Sequence, residues 1–135
     1  MKRLYGALIL AGTMLAGLSC GGGDGGTDTG PGDLHIRLTA PAANADSAIQ
    51  ITITGPAAPT AATAGTGLRL FVDPGATGTT RHYALVGRLT NGATILTISV
   101  PDVGAFAQYQ GAVNGVAQDN YQLRTVTAYA LAITR

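Results

Sequence analysis

Two stretches of this chain alternate branched aliphatic and polar residues with a period of two, and few folds can bury such a pattern. Leu34, Ile36 and Leu38 interleave with His35, Arg37 and Thr39, and Ile49, Ile51 and Ile53 interleave with Gln50, Thr52 and Thr54. Successive side chains of a strand point to opposite faces, so each stretch reads as a strand with one buried and one wet face. Sheets of that kind need a second layer against their apolar side. Leu68, Leu70 and Val72 form a third strand of the same sort. Pro41 with Asn44-Ala45-Asp46-Ser47, then Gly55-Pro56, then Asp73-Pro74-Gly75 supply the breaks between them. Between Pro56 and Gly67 the chain is rich in Ala, Thr, Pro and Gly and reads as a long loop.

Asn91-Gly92 is the sharpest local signal. The pair tolerates the positive φ angles of a type I′ turn, which joins antiparallel strands tightly. A two-residue loop there predicts a hairpin in which Tyr83 faces Val100, Leu85 faces Ile98, Gly87 faces Leu96 and Leu89 faces Thr94. One side of it is Tyr83, Leu85, Leu89, Leu96, Ile98 and Val100; the other carries His82, Ala84, Arg88, Thr97 and Ser99, with Val86 and Ile95. After Pro101-Asp102-Val103-Gly104, residues 107–117 read as a strand with Tyr109 and Val113 on one face, and Gly111 and Gly115 mark a bulge. A last strand over 122–134 puts Leu123, Tyr129, Leu131 and Ile133 on one face and Val126, Ala128, Ala130 and Ala132 on the other. About seven strands over 34–135 predict an all-β fold, a single antiparallel β-sandwich.

A core must stabilise it, because the chain has one cysteine and so neither a disulfide framework nor a thiolate zinc site. About 100 residues suffice for one such core. Beyond residue 19 there are six arginines, seven aspartates, no lysine and no glutamate. That sparse charge excludes a nucleic-acid footprint and a polybasic strip for anionic lipid.

The cysteine, Cys20, stands behind a basic start, Met1-Lys2-Arg3, and an apolar run of 16 residues, Leu4–Ser19. Together these make an export signal, and the run is short of the roughly 20 residues a spanning helix needs. Leu18-Ser19-Cys20-Gly21 resembles the lipobox of bacterial lipoproteins, with Gly17 where that family carries a larger aliphatic residue. The resemblance implies cleavage after residue 19, acylation of Cys20 and attachment to a lipid bilayer. Gly21, in place of the aspartate of inner-membrane retention, implies the outer membrane where one exists. Two alternatives stay open: ordinary cleavage after Gly17-Leu18-Ser19, releasing a free thiol, and retention of Leu4–Ser19 as a helix. Residues 20–33, with seven glycines after the cysteine, read as a tether whose last 13 residues reach about 20 Å.

Little else carries chemistry. In the predicted hairpin His82 and Ser99 are diagonal neighbours on a flat outer face, without an oxyanion hole or an orienting carboxylate, so no catalytic residue is assigned. His35 and His82 lack metal-ligand spacing, and no metal or cofactor is assigned. Tyr83, Tyr109 and Tyr129 fall in phase with the core. Phe71, on the outward phase of its strand, and Tyr121, beside a turn, are the candidate ligand-binding residues. In size and strand number, residues 34–135 are similar to small immunoglobulin-like and cohesin-like sandwiches, which implies interaction rather than catalysis. The expectation is a non-catalytic envelope lipoprotein that binds a protein partner or has a structural role. The alternative is a module for carbohydrate or a small ligand.

Overall fold

The computed structural model describes residues 28–41 and 46–135. Cys20 and most of the predicted tether lie outside the described residues. Eight strands form two antiparallel four-stranded sheets: β1 (Gly32–Thr39), β2 (Asp46–Thr54), β3 (Ala61–Ala64), β4 (Arg69–Val72), β5 (Thr80–Val86), β6 (Thr94–Val100), β7 (Gln110–Gln118) and β8 (Ala130–Thr134). The first sheet runs β3-β6-β1-β8 and the second β4-β5-β2-β7. The expected sandwich is present with one more strand than predicted, Ala61–Ala64 in the Pro56–Gly67 stretch. Its first two strands lie in different sheets, whereas the first two strands of a constant-type immunoglobulin domain share one.

The alternating residues fill the space between the sheets. Leu34, Ile36, Leu38, Ile49, Ile51, Ile53, Leu85, Leu96, Ile98 and Val100 are all buried to 1% exposure or less. Each such side chain contributes about 1.5–3 kcal/mol by leaving water. Tyr83, Tyr109 and Tyr129 are buried with them, as their phase predicts.

Residues 80–100 do not form a hairpin. β5 pairs with β2 and β4, whereas β6 pairs with β1 and β3, so the chain crosses from one sheet to the other between them. Leu85 and Ile98 are both buried because they belong to opposing sheets. Strands that face each other across a core show the same alternation as strands lying side by side. Gly92 has φ +78° while Asn91 is not in the positive region, and Ala93 N–H donates to Thr90 O at 3.2 Å. That is the pattern of a type II turn rather than type I′, and type II splays its arms. The turn docks on β1 instead: Gly92 N–H donates to Leu38 O at 2.7 Å, and Ala40 N–H donates to Asn91 Oδ1 at 2.9 Å. Gly87, at φ +144°, leads into the crossing, and a Cβ there would stand 2.5 Å from Gly67 O.

Three bulges shift the alternation. Ile36 pairs with Leu96 and Arg37 with Thr94, so Ile95 is the extra residue and is buried beside Leu96, against its predicted outward phase. Gln50 pairs with Gly115 and Ile51 with Val113, which makes Asn114 the extra residue in the region where glycines predicted a bulge. Asp46 pairs with Gln118 and Ala48 with Ala117, leaving Ser47 extra and turning Asp46 inward. The last strand is shorter than predicted. It begins at Ala130, after a 3-10 turn at Val126–Ala128.

Candidate functional site

The outer faces of the two sheets differ in kind. Across the β3-β6-β1-β8 sheet one row reads Thr63, Thr97, His35, Thr134, and the adjacent row begins Ala61, Ser99, Asp33. His35 Nδ1 and Thr97 Oγ1 are 3.1 Å apart, and Ser99 Oγ donates to Asp33 Oδ1 at 2.6 Å. This face is polar and pairs its own groups.

The other sheet presents small and apolar side chains toward its Val86 end and polar rows, His82 with Thr52 and then Thr80 with Thr54 and Gln110, toward the other. One row reads Arg69, Val86, Ala48, Ala117 and continues to Leu123, which bridges to Ala117 beyond the sheet edge. The next reads Phe71, Ala84, Gln50, Gly115. Among the described residues the large hydrophobics left exposed are Phe71, Val72, Val86, Tyr121 and Leu123, all on this sheet or on the segment that extends it.

Both candidate ligand-binding residues are on this side, and the structure keeps them apart. Phe71, 55% exposed, borders an open depression of about 440 Å³ with Gln50, Asp73, His82, Ala84 and Asn114. Tyr121, 93% exposed, borders a second of about 620 Å³ with Ala48, Val86, Arg88, Ala117 and Asp119. Between them Ala48, Ala84, Val86, Gly115 and Leu123 line a smaller hollow of about 270 Å³.

The polar half of the first depression is a hydrogen-bonded chain. Thr52 Oγ1 donates to Asn114 Oδ1 at 2.6 Å, and His82 Nδ1 lies 2.9 Å from the same hydroxyl. A hydroxyl has one proton, so with that proton donated to Asn114 the hydroxyl oxygen is left to accept from His82 Nδ1. Asn114 is held outward by the β7 bulge, as bulges re-aim side chains. Alternation alone predicted neither Asn114 nor Gln50 as a site residue. The glycine beside Asn114 was the available signal.

His82 and Ser99 do not meet. They belong to different sheets, because the hairpin that made them neighbours is a crossing. His35 and His82 likewise face outward from opposite layers, and among the described residues no group of three His, Cys, Asp or Glu is placed to hold a metal ion.

Leu123 does not share the face of Tyr129 as the alternation predicts: it is 81% exposed, whereas Tyr129 is buried. Its neighbour explains this. Arg124 turns inward, where its Nε donates to Asp46 Oδ1 at 2.8 Å, so the side chain before it points out. Tyr129 donates its hydroxyl to Asp46 Oδ2 at 2.5 Å. Burial and then this bond to a carboxylate push the Tyr129 phenol up to about 12. Asp46 is 2% exposed, and both of its oxygens are used.

At the opposite end of the sandwich, Asp102 Oδ1 accepts from Gly30 N–H and from Gly104 N–H, each at 2.9 Å. These two bonds, Gly30 first, hold the Asp102 carboxyl below its ordinary range. Val103 N–H donates to Gly30 O at 2.8 Å, so residues entering β1 are tied to the segment after β6. Among the described residues no helix is long and apolar enough to cross a membrane. Comparison with protein-family models, curated proteins and solved structures finds no match for the chain.

Proposed function

We propose that this chain is an exported lipoprotein, anchored through acylated Cys20, whose sandwich is a non-catalytic interaction module that presents its β4-β5-β2-β7 face to an envelope protein. The observation that carries the interaction reading is the asymmetry of the faces. Four of the five exposed large hydrophobics among the described residues, Phe71, Val86, Tyr121 and Leu123, lie on one side, beside a floor of alanine and glycine, while Val72 shares the inward phase of its partner Tyr83 at the sheet edge. Contiguous apolar surface of this kind marks interaction sites on small domains. The anchor reading rests on Leu18-Ser19-Cys20-Gly21 behind its apolar run. The outer membrane is its destination, on the identity of Gly21.

Crosslinking in native envelopes with the full chain as bait tests the function. Wild type retains a specific protein that a Val86→Ser bait loses; equal recovery by both removes this face from the proposal. Cys20→Ser tests the anchor and releases the chain from membranes. Extraction that still needs detergent means that Leu4–Ser19 is retained.

A second reading, a small-glycan site, is favoured by one specific arrangement. The Phe71 ring borders a depression with two amides, a carboxylate and an imidazole, the mixture of flat apolar surface and polar groups that a sugar ring uses.

A further inference from the structure

Further along the segment between β7 and β8, Val126 and Tyr129 pack inward, but its first part, Gln118–Arg124, is built the reverse of an ordinary loop. Loops that pack do so by burying their apolar side chains and leaving polar ones in water. Here the polar residue goes in and the apolar ones stay out. Arg124 reaches the buried Asp46, while Tyr121 and Leu123 stand 93% and 81% exposed. The backbone is nonetheless thoroughly bonded. Tyr121 N–H donates to Gln118 O, Gln118 N–H to Gln122 O, Arg124 N–H to Val116 O and Gln122 N–H to Asn120 Oδ1, all between 2.8 and 3.1 Å.

Tyr121 also has φ +67°, the one non-glycine residue in the positive region among those described. A tyrosine there is strained, and strain of this sort persists where the surroundings impose it. Neither exposed side chain repays the ordering of its own segment. We infer that Gln118–Arg124 is a preorganised recognition arm, in which Tyr121 and Leu123 are the anchors that enter a protein partner and Asp46 is the residue that positions them.

The inference rests on the proposed function and sharpens it. Tyrosine is enriched among residues that dominate binding energy, and a contact segment already ordered costs less to immobilise. The position of the arm selects the occupant. Residues 30–32 enter the sandwich at the Val100–Gly104 end, whereas the arm leaves β7 beside Asp46 at the other end. The eight residues of β1 between them span about 26 Å. From Cys20 to Asp28 are eight peptide links, at most about 28 Å of chain. With the anchor joined at the far end, the arm is the part of the domain farthest from its point of attachment, which favours a protein occupant over the anchoring lipid. A sugar has no counterpart for the isobutyl group of Leu123. A protein with an apolar socket does, and it also offers an acceptor for the Tyr121 hydroxyl.

The test places the photo-reactive residue p-benzoylphenylalanine in the full chain in native cells, singly at positions 121, 123, 71, 86 and 97. The expected result is one heterologous protein adduct from 121 and 123, identified by mass spectrometry, and none from 97 on the polar face. Adding Leu123→Ser to the position-121 probe abolishes that adduct and weakens binding of the purified partner at least tenfold, with an unchanged melting temperature. Tyr121→Gly separates recognition from folding: it relieves the strained φ and raises the melting temperature, yet it loses the adduct from the 123 probe. Adducts with phospholipid or with a second copy of the chain overturn the inference. So does an adduct from 71 or 86 with none from 121 or 123, which leaves the proposed function standing. Silence at 121, 123, 71 and 86 overturns both.

Discussion

Tyr129, at the entry to β8, donates its hydroxyl to Asp46, the first residue of β2, and so joins the two sheets through one 2.5 Å hydrogen bond in the core. The second carboxylate oxygen holds Arg124. Removing the acceptor strands both donors, whereas removing the phenol leaves Asp46 with its guanidinium. Asp46→Ala is therefore expected to cost about 3 kcal/mol, and Tyr129→Phe about 1–1.5 kcal/mol. Urea denaturation of both variants checks the order. A larger loss for Tyr129→Phe would mean that the phenol, not the ion pair, carries the junction.

The same bond sets an alkaline limit. The folded Tyr129 phenol is raised to about 12 from an ordinary value of 10. A raised folded value favours the protonated form in the folded state, so the stabilisation is complete below pH 10 and is lost as pH rises from 10 toward 12. Burial also raises Tyr83 and Tyr109 and adds to the loss. Urea midpoints measured across this range should fall for the wild type and fall less steeply for Tyr129→Phe. Identical slopes would remove Tyr129 from the account.

Asp102 gives the opposite sign at the other end of the molecule. Its folded value lies below the ordinary one of 3.8, so the tie to Gly30 is at full strength above that pH and is lost as pH falls through the lowered value. Limited proteolysis near residues 28–31 should accelerate in Asp102→Ala at neutral pH, with little change in melting temperature. Protection equal to the wild type would show that Val103 N–H to Gly30 O suffices alone.

Much of the burial was legible from period two alone: the triplets Leu34/Ile36/Leu38 and Ile49/Ile51/Ile53, the three core tyrosines and the outward Phe71 all lie as their phase predicts. What alternation does not encode is the partner. Leu85 and Ile98 have the same inward phase whether their strands are neighbours or face each other across the core, and only the turn geometry at Gly92 separates the two cases. Bulges are the second blind spot. Each extra residue reverses the parity beyond it, and this is how Asp46 and Ile95 became buried without an apolar pattern to announce them. The inward turn of Arg124, which exposes Leu123, follows from the hidden Asp46 and could not be seen before it.

Disulfide trapping distinguishes the crossing from the hairpin directly. His35 and Thr97 are antiparallel partners on one sheet, and such pairs have Cα atoms about 4.5–5.5 Å apart, within disulfide range. The hairpin register would instead pair Val86 with Thr97. In the structure these residues face outward from opposite sheets, which pack about 10 Å apart before either side chain is counted. In a Cys20→Ser background, His35→Cys with Thr97→Cys should oxidise readily, and Val86→Cys with Thr97→Cys should stay reduced. Oxidation of the second pair would restore the hairpin. Substitution at single sites complements the trap. Ile98→Asp buries an unpaired charge and should unfold the domain, while Thr97→Asp faces water and should cost under about 1 kcal/mol, apart from the lost contact with His35. Gly87→Ala probes the crossing itself: with φ +144° and Gly67 O 2.5 Å from the new Cβ, it should lose about 2 kcal/mol or more. Gly92→Ala, positive in φ but with open space around it, should lose about 1 kcal/mol. A hairpin would reverse that ranking, because its stability would turn on the residue at 92 rather than on the one at 87.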